Sequence, residues 1–160
     1  MCGIVGQVNF DKSPVSKVVL KKMTDALRHR GPDGEGHWID ENIGLGHRRL
    51  SIIDPSPLGS QPMESRDNRY ILTYNGEIYN FKELRTKLEA KGYWFRSNTD
   101  SEVVLYSLAE WGSDALLKFN GMFALAFWDR KHKQLLLARD RYGIKPLYYY
   151  QDHKKLIFGS

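Results

Sequence analysis

The sequence predicts an α+β domain. Strands and helices come in groups rather than in strict alternation. The two later helices each open on an N-terminal signal, and the last third is rich in apolar runs of strand length. A doubly wound parallel sheet would need a helix between successive strands, and the pattern does not supply one each time.

Gly3 to Phe10 reads as the first strand. Ser13-Pro14 has the form of a helix start, with serine as N-cap and proline at the first helical position. Val15, Val18, Val19, Met23, Ala26 and Leu27 recur at helical spacing and give that helix its buried face. It is expected to stop near Arg30, where Gly31-Pro32-Asp33-Gly34 is dense in breakers. Gly36 to Ile39 and Ile43 to Leu50 are a candidate strand pair, followed by a turn-rich stretch from Asp54 to Asn68 with three prolines. Tyr70 to Tyr74 is a strand that Asn75-Gly76, a strong turn signal, should end.

Asn80 with Glu83 forms an N-cap and N3 pair for the next helix, which buries Phe81, Leu84 and Leu88 and ends at Gly92. Thr99-Asp100-Ser101-Glu102 has capping-box form and opens a helix with Val103, Val104, Leu108 and Trp111 inward. Gly121 to Trp128 and Gln134 to Arg139 read as strands joined by a charged turn. Leu147 to Tyr150 and Leu156 to Phe158 add two more. The final Phe158-Gly159-Ser160 falls in or just after a strand, so a cut within a longer protein is expected.

Composition narrows the classes. With 160 residues, 41% of them hydrophobic and 27% charged, the chain suits one soluble domain with a substantial core. No apolar run reaches the roughly 20 residues that span a bilayer, and no secretory signal opens the chain. The net charge of +5 is spread over short clusters without interleaved aromatics, which argues against nucleic acid. None of the five histidines pairs with another histidine or with cysteine at a zinc spacing, so no metal is expected. A single cysteine cannot form an internal disulfide, and a cytoplasmic location is expected.

That cysteine stands at position 2, directly behind Met1. A small residue there leaves the initiator open to removal, which would put a thiol and a free α-amine on one residue. A free thiol with a pKa of about 8.5 is mostly protonated at neutral pH. An α-amine of pKa about 7.7–8.0 is a usable base there. A terminal nucleophile thus carries its own base, as N-terminal threonine nucleophiles do. A small buried thiol in a first strand is the plainer alternative.

Six ordered motifs surround this cysteine. After Met1-Cys2-Gly3-Ile4-Val5-Gly6 come R-H-R-G-P-D-G from Arg28, H-R-R-L-S-I-I-D from His47 and Y-N-G-E-I-Y-N from Tyr74. T-D-S-E follows from Thr99, then G-M-F-A-L-A-F-W-D from Gly121 and A-R-D-R-Y-G-I-K-P-L-Y-Y from Ala138. In these the chain resembles the N-terminal glutaminase domain of glutamine-hydrolysing asparagine synthetases, class II glutamine amidotransferases among the N-terminal-nucleophile hydrolases. The resemblance implies a four-layer α-β-β-α sandwich of two antiparallel sheets, occupying residues 1–160 and truncated at its C-terminus.

It further implies that Cys2 attacks the glutamine side-chain amide, with the Asn75 amide and the Gly76 N–H stabilising the oxyanion. Arg49 is implied as the clamp for the substrate carboxylate and Asp100 as the partner of its ammonium. Glu77 and the backbone of Leu50, Ser51, Ile52 and Ile53 would line the same pocket. Arg48 is expected to be structural or surface-facing, Arg30 and Asp33 to brace the loop near Cys2, and His29 and His47 to stay outside the chemistry. The late D-R-Y-G-I-K-P motif reads as a structural turn. No cofactor is expected in this domain. ATP and magnesium would serve a C-terminal synthetase domain of the same chain, whose S-G-G-x-D-S-type motif does not occur here. A homodimer is compatible with the sequence. The same glutaminase could instead serve a sugar, peptide or antibiotic acceptor, and a non-catalytic relative is the third reading.

Overall fold

The computed structural model describes residues 1–51 and 57–160. The expected pocket residues Ile52 and Ile53 lie outside the described residues.

Two antiparallel sheets form the centre. The first contains β1 (Gly3–Asn9), β2 (Gly34–Asp40), β3 (Ile43–Arg49), β8 (Tyr148–Gln151) and β9 (Lys155–Gly159), in the order β2-β3-β1-β9-β8. The second contains β4 (Met63–Glu64), β5 (Tyr70–Ile78), β6 (Gly121–Asp129) and β7 (Gln134–Arg139), in sequence order. Helix α1 (Lys17–Ala26) packs on the first sheet. Helices α2 (Phe81–Glu89) and α3 (Asp100–Trp111) pack together and against the second.

Strand alternation explains the layering. On β3, Ile43 and Leu45 point to the second sheet and pack with Ile71, Ala126, Trp128 and Phe158 between the sheets. Gly46 faces the other way, where a β-carbon would stand 2.8 Å from Val5 and press into Thr24 of α1, so glycine lets the helix approach. On β5, Leu72, Tyr74 and Ile78 face α2 and α3 in the largest core cluster, and Ile71 faces the first sheet. Truncating one of these buried aliphatics to alanine typically costs about 2–5 kcal/mol.

Three local expectations are corrected. Helix α1 starts at Lys17, not at Ser13-Pro14: Ser13 is held by Asp11, and Ser16 Oγ caps by accepting from Val19 N at 3.4 Å. With that start the buried stripe runs through Leu20 and Thr24, flanked by Met23 and Leu27, and leaves Val18 and Val19 exposed. Asn75-Gly76 does not end a strand, because β5 runs unbroken to Ile78 and pairs Gly76 with Phe123. A β-carbon on Gly76 would stand 2.5 Å from Met122 O and 2.7 Å from the Tyr74 ring, so close packing rather than a turn requires this glycine. Asn80 stands at the start of α2 without capping it. Its side chain instead donates to Lys118 O and accepts from Asn120 N, tying that helix to the entry of β6.

Candidate active site

Cys2 sits one residue before β1. Gly3 pairs with Arg48, so antiparallel register sets Cys2 beside the end of β3. There Leu50 N donates to Cys2 Sγ at 3.3 Å, and Sγ lies 3.7 Å from Leu50 O. The R-H-R-G-P-D-G loop braces both partners. Arg30 Nε donates to Cys2 O at 3.3 Å, while Asp33 donates its N–H to Arg49 O and accepts from Ser51 N at 2.8 Å. Met1 still precedes the cysteine, and its thioether accepts from Lys145 Nζ at 3.2 Å.

Beside Cys2 opens a cavity of about 290 Å³. Arg49, Leu50, Ser51, Asn75, Gly76, Glu77 and Asp100 all line it with Cys2. Four segments distant in sequence thus meet at one end of the sandwich: the start of β1, the end of β3, the second half of β5 and the start of α3.

Strand alternation separates the two arginines. Arg48 turns toward α1, where Nε donates to Thr24 O at 3.1 Å and Nη2 pairs with Asp25 and with Glu35 at 2.6 Å. Arg49 faces the cavity, its guanidinium lying over Gly59. His29 lines no part of this cavity. His47, 1% exposed, lies between the sheets and meets Tyr74 O through Nε2 at 3.2 Å. A carbonyl can only accept, so Nε2 carries the proton, and burial drops the imidazole to a pKa of about 4.

Asp100 opens α3 without capping it. The cap is Thr99, whose Oγ1 accepts from Glu102 N at 3.3 Å. Glu102 departs from the capping box and receives Ser97 N at 2.8 Å and Arg96 N at 3.0 Å instead. That leaves the Asp100 carboxylate, 5% exposed, to reach across to β5, where Oδ2 accepts from Tyr74 Oη at 2.7 Å and Ile78 N at 3.0 Å. Burial raises the Asp100 carboxyl above its ordinary range, against the pull of these two donors and of the Ser101 N–H. Burial, with Asp100 close by, also drives the Tyr74 phenol well up, so Tyr74 is neutral and donates.

Asn75 is 2% exposed and donates through Nδ2 to Ser160 Oγ at 3.4 Å. The same Ser160 hydroxyl accepts from Ile4 N at 3.2 Å, joining β1 of one sheet to β5 of the other.

Sequence reasoning missed several cavity residues. Gln61 accepts from Tyr74 N at 2.6 Å and donates to Ser101 Oγ at 3.3 Å, from a loop that carries no motif. Gly59, Tyr74, Thr99, Ser101 and Met122 also line the wall. So does Lys145, from the late motif that reads as structural in the sequence. Asp140 builds that turn. Burial alone would raise its carboxyl, but the backbone N–H groups of Lys145, Ile144, Phe123 and Tyr142 carry it below the usual range. The signal for Lys145 lay in Asp140, a short acceptor poised to gather a loop onto β6.

Among the described residues no group of histidine, cysteine and carboxylate side chains is placed to hold a metal ion, and no helix is long and apolar enough to cross a membrane.

Comparison with known proteins matches this architecture. The glutamine phosphoribosylpyrophosphate amidotransferase of Bacillus subtilis superposes with a TM-score of 0.81 at 19% identity, over 99% of this chain and 41% of that one, and so shares the fold. Glutamine-hydrolysing asparagine synthetase 1 of Bacillus subtilis is 44% identical over 165 residues, covering 100% of this chain. Glutamine-hydrolysing asparagine synthetase 3 of that organism is 42% identical over 163 residues, and the Zea mays enzyme of the same name 39% over 151. This chain spans about a quarter of the length of these relatives, 26% for the two bacterial ones. A family model for the glutamine amidotransferase domain matches residues 1–160 in full, and the chain belongs to that family.

Proposed function

We propose that this domain hydrolyses glutamine through Cys2 once Met1 has been removed. The observation that carries this reading is the meeting of Cys2 Sγ, Arg49, Asn75-Gly76 and Asp100 around one cavity. Arg49 takes the substrate α-carboxylate, since a guanidinium offers two parallel donors. Asp100 takes the α-ammonium. The amide carbon then lies toward Cys2.

The α-amine of processed Cys2 accepts the thiol proton as sulfur bonds to the amide carbon. The tetrahedral oxyanion is held by Asn75 Nδ2 and Gly76 N–H. An amide nitrogen has two hydrogens, so Asn75 can keep Ser160 and still donate to the substrate. The C–N bond breaks, the amine returns its proton to the departing nitrogen, and ammonia leaves a γ-glutamyl thioester. Water adds to the thioester through a second oxyanion and releases glutamate and the Cys2 thiol. Each oxyanion donor is typically worth about 10²–10³ in rate.

The likeness to glutamine-hydrolysing asparagine synthetases supports a further reading, that the ammonia amidates aspartate in the remainder of a longer chain. ATP and magnesium would be used there.

Intact-mass measurement followed by glutamate-release assays tests the hydrolysis. Protein lacking Met1 is expected to be active, while protein retaining Met1 and the Cys2→Ala variant are expected to be inactive. Undiminished glutaminase activity in Cys2→Ala would falsify the assignment.

A further inference from the structure

Asp100 has two carboxylate oxygens, and the fold treats them differently. Oδ2 accepts both Tyr74 Oη at 2.7 Å and Ile78 N at 3.0 Å, whereas no described side chain donates to Oδ1, and the neighbouring Ser101 N–H also favours the carboxylate. Both side chains line the cavity, and Tyr74 is only 2% exposed. Its ring packs in the core beneath α3, and its backbone is fixed on either side: Gln61 takes its N–H and His47 meets its carbonyl. A hydroxyl held this rigidly sets the plane of the carboxylate it meets.

We propose that Tyr74 is a positioning residue for recognition of the substrate α-ammonium: its hydroxyl pins Asp100 Oδ2 and so reserves Oδ1 for the ligand. This rests on the glutaminase reading above and adds to it the residue that makes the site select an amino acid over the same amide lacking its α-amine. A buried carboxylate that lost this donor would more readily accept a proton, and a neutral acid holds an ammonium poorly. The charged or titratable groups around the cavity are Glu77 and Tyr74 from β5, Arg49 from β3, Cys2, and Lys145 from the turn after β7. Of these, Glu77 opposes ionisation of Asp100 and the Tyr74 hydrogen bond favours it.

Tyr74→Phe in the full-length, Met1-processed protein isolates the hydroxyl and keeps the ring. Glutamine and 4-carbamoylbutanoate, the same amide without the α-amine, are compared as substrates. The expected result is about a tenfold rise in KM for glutamine with kcat within about twofold, and no change in kcat/KM for 4-carbamoylbutanoate. The acid limb of kcat/KM for glutamine is expected to move to higher pH. A variant that is merely loosened would lose both substrates equally and keep its pH limb, and that outcome overturns the proposal. So does an unchanged KM for glutamine. Calorimetric binding of glutamate and glutarate to both proteins gives the same comparison without turnover. A wild-type protein that neither hydrolyses glutamine nor prefers glutamate to glutarate sinks the glutaminase reading itself, a result distinct from failure of the Tyr74 role alone.

Discussion

Gly59 lies directly against the guanidinium of Arg49: a β-carbon there would stand 3.2 Å from Cζ and closer still to Nη2. The nearest of these atoms are the far end of a flexible side chain, and Thr99 Cγ2 at 3.1 Å need give only slightly, so an alanine at 59 would displace Arg49 more easily than it would unfold the protein. Gly59→Ala is expected to raise KM for glutamine about tenfold while the melting temperature holds. Steady-state kinetics beside a thermal melt checks this. A normal KM would mean that Arg49 does not hold the substrate carboxylate.

Arg48 and Arg49 should fail in opposite ways. Arg48 is 7% exposed and joins β3 to α1 through Thr24 O and Asp25, and to Glu35 of β2. Its two carboxylate partners are partly solvated, which discounts the pairing, so Arg48→Ala is expected to cost about 2 kcal/mol of stability. Arg49→Ala is expected to lower kcat/KM at least about a hundredfold, far more than Arg48→Ala does. Urea denaturation and kinetics on both variants separate the roles, and a crossed result would reverse the assignment of faces on β3.

His47 makes stability depend on pH. Its folded pKa of about 4 lies below the ordinary 6.5, because burial disfavours the imidazolium. The unfolded chain therefore binds the proton first as pH falls. The contribution is complete above pH 6.5 and drains away between 6.5 and 4, reaching about 2 kcal/mol lost by pH 5. His47→Gln keeps a donor for Tyr74 O and cannot titrate. Denaturation curves at pH 7 and pH 5 should differ less for this variant than for wild type, and equal slopes would exclude His47 as the source.

Much of this was legible in the sequence because local signals and tertiary packing agreed. Thr99 caps α3 as its motif predicts, and β6 and β7 fall where their apolar runs lie. The errors have physical causes. Asn-Gly favours a turn in isolation, but at Gly76 the approach of β6 and the Tyr74 ring decides the backbone. Ser13-Pro14 has the chemistry of a helix start, but Asp11 captures Ser13 first. The motifs delivered Cys2, Arg49, Leu50, Ser51, Asn75, Gly76, Glu77 and Asp100 to one cavity, and they also carried Tyr74, Thr99, Ser101 and Met122, whose place on its wall was not anticipated. Gln61 and Lys145 were missed, because each reaches the cavity through a loop whose course is set by distant partners. Gln61 is placed by Tyr74, and Lys145 by an Asp140 whose hydrogen bonds span β6 and the following turn.

Ser160 gives the domain a built-in order of assembly. Its hydroxyl joins Ile4 to Asn75, and its backbone N–H donates to Ile4 O at 2.9 Å. The strand it follows, β9, forms one flank of β1. On a ribosome the thiol emerges first and the residue that anchors its neighbouring strand emerges 158 residues later. Cys2 therefore waits several seconds or more, at roughly 5–20 residues per second, before the strand that follows it is flanked on both sides. The setting of Cys2 at the edge of the sheet thus depends on β9, a strand made more than a hundred residues after it.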